Sequence, residues 1–81
     1  MRSAHYVAYV PYGGMDTQLL AGPFASYDEA DFVRPAVEAT YPADELEWDR
    51  IDVMAVRTSG DLRPGRRNAE FGLPGANGAV A

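Results

Sequence analysis

Cysteine and lysine are both absent from this 81-residue chain, and histidine and tryptophan occur once each. Without cysteine there is no disulfide framework, no thiolate metal site and no cysteine nucleophile, and a reducing compartment is the expected setting. All seven basic residues are arginine while alanine is abundant, a bias that strongly GC-rich coding produces and that points to genome type, not mechanism. Positive charge is scarce overall. The net charge is -5 and the isoelectric point is about 4.5, which argues against generic binding to a phosphate backbone, where cations supply most of the affinity. No long apolar run follows Met1-Arg2-Ser3-Ala4-His5, so neither a signal peptide nor a membrane span is read from the sequence. The expected location is the cytoplasm.

What is present is best punctuated at Gly22-Pro23-Phe24-Ala25-Ser26-Tyr27-Asp28-Glu29-Ala30. Ser26 followed three residues later by Glu29 forms a capping box, in which the serine oxygen accepts from the Glu29 amide and the Glu29 side chain reaches back to the Ser26 amide. Asp28 and Glu29 also complement the positive end of the helix dipole. From Tyr27, the residues Ala30, Val33, Val37 and Tyr41 recur with a helical period. Pro35 interrupts that stripe, because proline lacks the amide that would bond back to Asp31 and its ring crowds that carbonyl. The expectation is a kinked helix, or two short helices meeting at Arg34-Pro35. A second turn opened by Pro35 remains an equal alternative.

Upstream, Tyr6-Val7-Ala8-Tyr9-Val10 is dense in β-formers and stops at Pro11, and Gly13-Gly14 supplies the positive φ angles of a tight reversal. A return strand over Thr17 to Ala21 is expected to end at Gly22-Pro23. Downstream of Pro42, the acidic stretch Asp44 to Asp49 leads into a third strand, Ile51 to Arg57. The order is strand, strand, helix, strand. The fold class is α+β, a small three-stranded ββαβ sheet of order 2-1-3 with the helix on one face, like half of a ferredoxin-type fold. The domain is assigned to residues 1–58.

Alternation along the strands makes both sheet faces apolar. One presents His5, Val7 and Tyr9, and the other presents Tyr6, Ala8, Val10 and Tyr12, with Met54 on the third strand. A single helix covers only one face. The other is expected to be covered by a second copy, a partner or the C-terminal segment, and a homodimer through that face is the favoured expectation. A domain of about 60 residues buries only about 60% of its unfolded surface, so added burial also helps stability.

Residues 59–81 are rich in glycine and proline and read as a tail. Such a segment is expected to be disordered on its own, or to act as an arm that orders on a partner with Phe71 and Leu73 as anchors. Charge divides unevenly: residues 1–58 carry -6, and 59–81 carry +1. Asp44, Glu45, Glu47, Asp49 and Asp52 form either a solvated edge that discourages aggregation or a docking face, for a basic partner or for Arg63, Arg66 and Arg67 of the same or a neighbouring chain. Trp48 among them is either a lid on the core edge or a partner hot spot.

Catalytic signals are sparse. His5 is the only histidine and sits in a predicted strand, with no nucleophile elbow near any serine. Gly13-Gly14 precedes no strand-loop-helix unit and so is not a phosphate cradle. The acidic segment lacks the glycine-turned spacing of an EF-hand. No catalytic residue, metal or cofactor is assigned.

The strand Tyr6 to Val10, the hairpin, Gly22-Pro23-Phe24, Ser26-Tyr27-Asp28-Glu29-Ala30 and the Trp48-containing return resemble, over residues 5–57, a loosely related set of short ββαβ proteins of actinobacteria and their phages. The resemblance rests on a structural junction and implies fold and genomic neighbourhood, not an active site. A similar Gly-Pro-Phe junction occurs in peptidoglycan-binding SPOR domains, but this chain has no second helix-strand unit, and glycan binding is not carried over.

The leading expectation is a non-enzymatic protein-interaction module, encoded by a phage or mobile element, that binds a host or virion protein. Its candidate contact residues are Tyr6, Val10, Tyr12, Met54, Asp44, Glu45, Glu47, Trp48, Arg63, Arg66, Arg67 and Phe71. Two alternatives stand beside it. One is a ligand-binding or enzymatic dimer using His5, Tyr9 and Arg34, and the other is an acidic nucleic-acid mimic that fills the basic groove of a DNA-binding protein.

Overall fold

The computed structural model describes residues 1–75. The last six residues of the expected tail lie outside that range. Three antiparallel strands, β1 (Arg2–Val10), β2 (Gln18–Phe24) and β3 (Arg50–Thr58), form one sheet of order β2-β1-β3, and one helix, α1 (Tyr27–Glu38), packs on it. The ββαβ reading therefore holds. A 3₁₀ turn over Asn68–Phe71 follows.

The β1–β3 ladder is regular from Arg2 opposite Thr58 to Val10 opposite Arg50. The β1–β2 ladder is not, because its register shifts on both sides of Val7. The shift between His5 and Val7 falls at Gly22-Pro23, expected to end β2 but in fact inside it. Gly22 has φ +136, and a Cβ there would lie 2.7 Å from Cδ2 of Tyr6 and 3.0 Å from the His5 carbonyl oxygen. Only glycine meets both conditions, and it lets the strand run on through a cis Gly22–Pro23 bond to Phe24.

Ser26 caps α1 as expected, its Oγ accepting from the Glu29 amide at 3.2 Å. The reciprocal arm differs. Glu29 Oε1 accepts from the amide of Ala25, at 3.1 Å, instead of from Ser26. Nor are there two helices: α1 is one element, with Pro35 in its last turn. So close to the C-terminal end, the missing amide removes one bond and leaves little helix to disrupt. Ala30 and Val37 of α1 meet Val7, Leu20, Ala21 and Ile51 of the sheet in the buried core.

The segment after Thr58 is exposed over residues 59–61 and then returns to pack against the domain. β3 and β2 are the two edges of the sheet, so the chain must cross from one to the other. It does so over the face opposite the helix, where the Tyr6 hydroxyl donates to the Arg63 carbonyl. It then lines the β2 edge: the amide of Gly65 donates to the Gly22 carbonyl at 3.0 Å, that of Arg66 to Leu19 at 2.8 Å and that of Arg67 to Leu20 at 2.8 Å. Phe71 and Leu73 end against the core on the helix side. The expectation of a disordered tail weighed backbone entropy against apolar burial alone. What outweighs that entropy here is polar pairing with a strand edge, completed by Asn68, which is buried to 2% exposure.

This arm also answers what covers the second sheet face. Tyr6 is 1% exposed and Val10 is buried within the chain itself. The arm thus covers this face at Tyr6, while Tyr12, expected on the same face, is 75% exposed.

Candidate protein-docking site

Two exposed aromatic rings in mutual contact lie at the opposite end of β1 from Arg2, where the β1–β2 hairpin meets the loop that enters β3; Phe32 of α1 is more exposed still, at 87%, but enters no aromatic pair among the described residues. Pro11 ends β1, and the turn closes through the Gly14 amide donating to the Pro11 carbonyl at 2.8 Å, with Gly13 and Gly14 at φ +90 and +78. This is the reversal expected at Gly13-Gly14. In the facing loop, successive turns bond Glu45 to Pro42, Leu46 to Ala43 and Glu47 to Asp44. Leu46 packs against the core, while Glu45, Glu47 and Trp48 remain exposed.

Asp49 joins the two loops. Its carboxylate accepts from the Tyr9 hydroxyl through Oδ2 and from the Tyr12 amide through Oδ1 at 2.8 Å. The Tyr9 hydroxyl bond and the Tyr12 amide hold the Asp49 carboxyl below the ordinary carboxylate range. The same bond, with burial and the Asp49 charge, pushes the Tyr9 phenol up to about 12. Both shifts favour the arrangement in which tyrosine donates and aspartate accepts.

This junction places Tyr12 beside Trp48. Their ring centroids are 5.8 Å apart and their planes are inclined at 80°, an edge-to-face pair. Tyr12 is nonetheless 75% exposed and Trp48 70% exposed, with Met15 of the hairpin similarly open. Asp16, Asp44, Glu45 and Glu47 are exposed around them and enter no ion pair among the described residues. Arg50, the nearest arginine in sequence, pairs with Asp52 at 3.2 Å. The surface combines open aromatic area with uncompensated negative charge.

The structure brings together Tyr12, Asp44, Glu45, Glu47 and Trp48 of the sequence-expected contact residues. It leaves the others elsewhere. Tyr6 and Val10 are buried, Met54 is half-buried on the face crossed by the arm, and Arg63 and Arg66 are exposed on the arm. Arg67 and Phe71 serve the arm's own docking: Arg67 pairs with Glu70 at 2.8 Å, donates to Thr40 Oγ1 at 3.0 Å, and lies 5.2 Å from the ring centroids of both Tyr41 and Phe71. Arg67 thus meets Glu70 and not the acidic loop. In sequence Asp49 is one of a row of acids, and nothing adjacent to it signals its role as the fastener, since both its partners, Tyr9 and Tyr12, lie about 40 positions away.

The residues named for a ligand site are not assembled into one. His5 is half-buried with its ring edge-on to Tyr27 at 6.3 Å and its Nδ1 unpartnered, while Arg34 is engaged by Asp31 at 2.9 Å and Glu38 at 3.5 Å on the helix. A cleft of about 460 Å³ does exist, but between the arm and the Gly22-Pro23-Phe24 segment, with Arg2, Leu62 and Pro74 in its walls and none of His5, Tyr9 or Arg34. Among the described residues, no group of three or more His, Asp or Glu is placed to hold a metal ion, and no helix is long and apolar enough to cross a membrane. The chain matches no known protein family, and no curated protein or solved structure is detectably similar to it.

Proposed function

We propose that the protein is a non-enzymatic interaction module that docks a basic segment of another protein on its Tyr12–Trp48 end. The observation that supports this reading is the pairing of two wide-open aromatic rings with unpaired carboxylates on a rigidly fastened pair of loops. Tryptophan and tyrosine are enriched among residues that dominate binding energy, since each offers a large contact area at low entropic cost. The surrounding acids select a basic partner and speed its approach. Fastening by Asp49 keeps the surface organised before the partner arrives, which lowers the ordering cost of binding. The resemblance to actinobacterial and phage proteins directs the search for that partner to host and virion proteins.

The test is capture by tagged protein from an actinobacterial lysate, with and without phage infection, followed by direct binding of the purified captured protein. One partner whose affinity falls at least tenfold on Trp48→Ala, and further with added salt, is expected, a loss of about 1.4 kcal/mol. A partner that binds both forms equally would place docking elsewhere. Recovery of copies of the chain alone would favour a self-contained dimer.

A further inference from the structure

The fold already contains one arginine seated between two aromatic rings. The Arg67 guanidinium lies 5.2 Å from the Tyr41 and Phe71 centroids and donates through Nε and Nη2 to the two carboxylate oxygens of Glu70, at 2.9 and 2.8 Å. The Tyr12–Trp48 corner has the same components without the cation. Two rings meet edge to face at 80°, and most of the surface of each is open to solvent. Glu47 flanks Trp48 in sequence with its carboxylate exposed and unpaired, and among the described residues no arginine lies over either ring.

We infer that the Tyr12–Trp48 corner takes an arginine side chain of the docking partner, its guanidinium stacked on the indole and paired to Glu47. This rests on the docking function proposed above and specifies its chemistry. Arginine fits better than lysine for two reasons. Its flat, weakly hydrated cation stacks on an aromatic face with less loss of solvation, and its fork of N–H donors serves a carboxylate while the face stays in contact. A lysine ammonium satisfies the charge but offers no plane to stack.

Trp48 is the chain's single tryptophan, so its fluorescence reads this corner alone. Full-length protein is titrated at low salt with three blocked pentapeptides of the pattern Gly-X-Gly-X-Gly, where X is arginine, lysine or the neutral arginine isostere citrulline. The arginine peptide is expected to change the emission saturably, the lysine peptide to bind at least about threefold more weakly, and the citrulline peptide to give no response. Tyr12→Ala, which removes one exposed ring, is expected to weaken the arginine peptide about threefold and to narrow its advantage over lysine. Equal binding of arginine and lysine peptides, both lost at about 0.5 M salt, would overturn the arginine assignment while leaving acidic docking in place. A response to citrulline equal to that of arginine would overturn it as well. Silence of Trp48 toward all three would overturn both the assignment and the docking function at this end.

Discussion

Asn68 holds both backbone polar groups of Gly22: its Oδ1 accepts from the Gly22 amide at 3.0 Å and its Nδ2 donates to the Gly22 carbonyl. The same carboxamide donates to the Pro74 carbonyl, and the Gly22 carbonyl also accepts from Gly65 at 3.0 Å. A side chain 46 residues away thus does for the β2 edge what a neighbouring strand would do. Within the arm, the Asn68 backbone carbonyl accepts from the Leu73 amide at 2.9 Å, which folds the chain after the 3₁₀ turn back onto its start.

Replacing Asn68 with alanine leaves the buried Gly22 amide without its partner. Each unsatisfied buried group costs about 1–3 kcal/mol, so a loss of about 2–3 kcal/mol is expected in urea denaturation followed by far-ultraviolet circular dichroism. Asn68→Asp is expected to cost more, since a carboxylate would face the Gly22 and Pro74 carbonyls where the amide nitrogen now donates. A loss below about 0.5 kcal/mol for Asn68→Ala would show that the arm is held by its apolar contacts instead.

Three glycines should respond to alanine in a definite order. At Gly13, φ is +90 but nothing lies within 4 Å of an added Cβ, so the cost is conformational alone, about 1 kcal/mol. At Gly65 the added Cβ would lie 2.5 Å from the Ala21 amide nitrogen, a backbone atom with no room to retreat. At Gly22 both penalties combine. Melting temperatures are expected to fall most for Gly22→Ala, next for Gly65→Ala and least for Gly13→Ala. Gly65→Ala should also push the arm off the β2 edge and raise the protease sensitivity of residues 59–75. Equal drops at Gly13 and Gly65 would contradict the close approach of the arm.

The parts of this fold legible in the sequence were those written in adjacent residues. Ser26 and Glu29 cap a helix three residues apart, and Gly13-Gly14 turns a chain within four. Strand order followed from connection rules once those elements were placed. The arm was illegible because its reasons are distant: Gly65 is small for the sake of Ala21, and Asn68 is polar for the sake of Gly22. Composition alone made the same stretch look like a tail. Gly22-Pro23 misled in the other direction, since a dipeptide that usually stops a strand here bends one around the Tyr6 ring. At the docking end, Trp48 and its flanking acids were visible as a cluster, but Tyr12 lies 36 positions before Trp48, and only the Asp49 fastening brings it across.

The Asp49–Tyr9 bond predicts a defined response to pH. Asp49 is depressed in the folded state, so its contribution is fully present above its unfolded pKa and is lost as pH falls through the lower folded value. Tyr9 is raised, so its contribution is present below its unfolded pKa of 10.0 and is lost as pH rises toward about 12. Stability should therefore decline at both extremes, and Tyr9→Phe should remove the alkaline decline attributable to this pair. Ultraviolet absorbance of tyrosinate in wild type and Tyr9→Phe checks it directly. A Tyr9 phenol that titrates near 10 in the folded protein would contradict the bond.

Trp48 separates a structural role from a binding one. As a lid over the core edge it should matter to stability, because large buried aromatics cost about 3–5 kcal/mol when cut to alanine. At 70% exposure, with Leu46 reaching the core in its place, Trp48→Ala is expected to change stability by no more than about 0.5 kcal/mol. Tyr12→Ala should behave alike, since what holds the hairpin to Asp49 is the Tyr12 backbone amide and not its ring. Loss of partner binding in these two variants, at unchanged melting temperature, would be the signature of a surface kept aromatic for contact. A melting temperature lowered by about 8 °C or more, corresponding to at least about 1–2 kcal/mol in a domain of this size, would make Trp48 part of the fold instead.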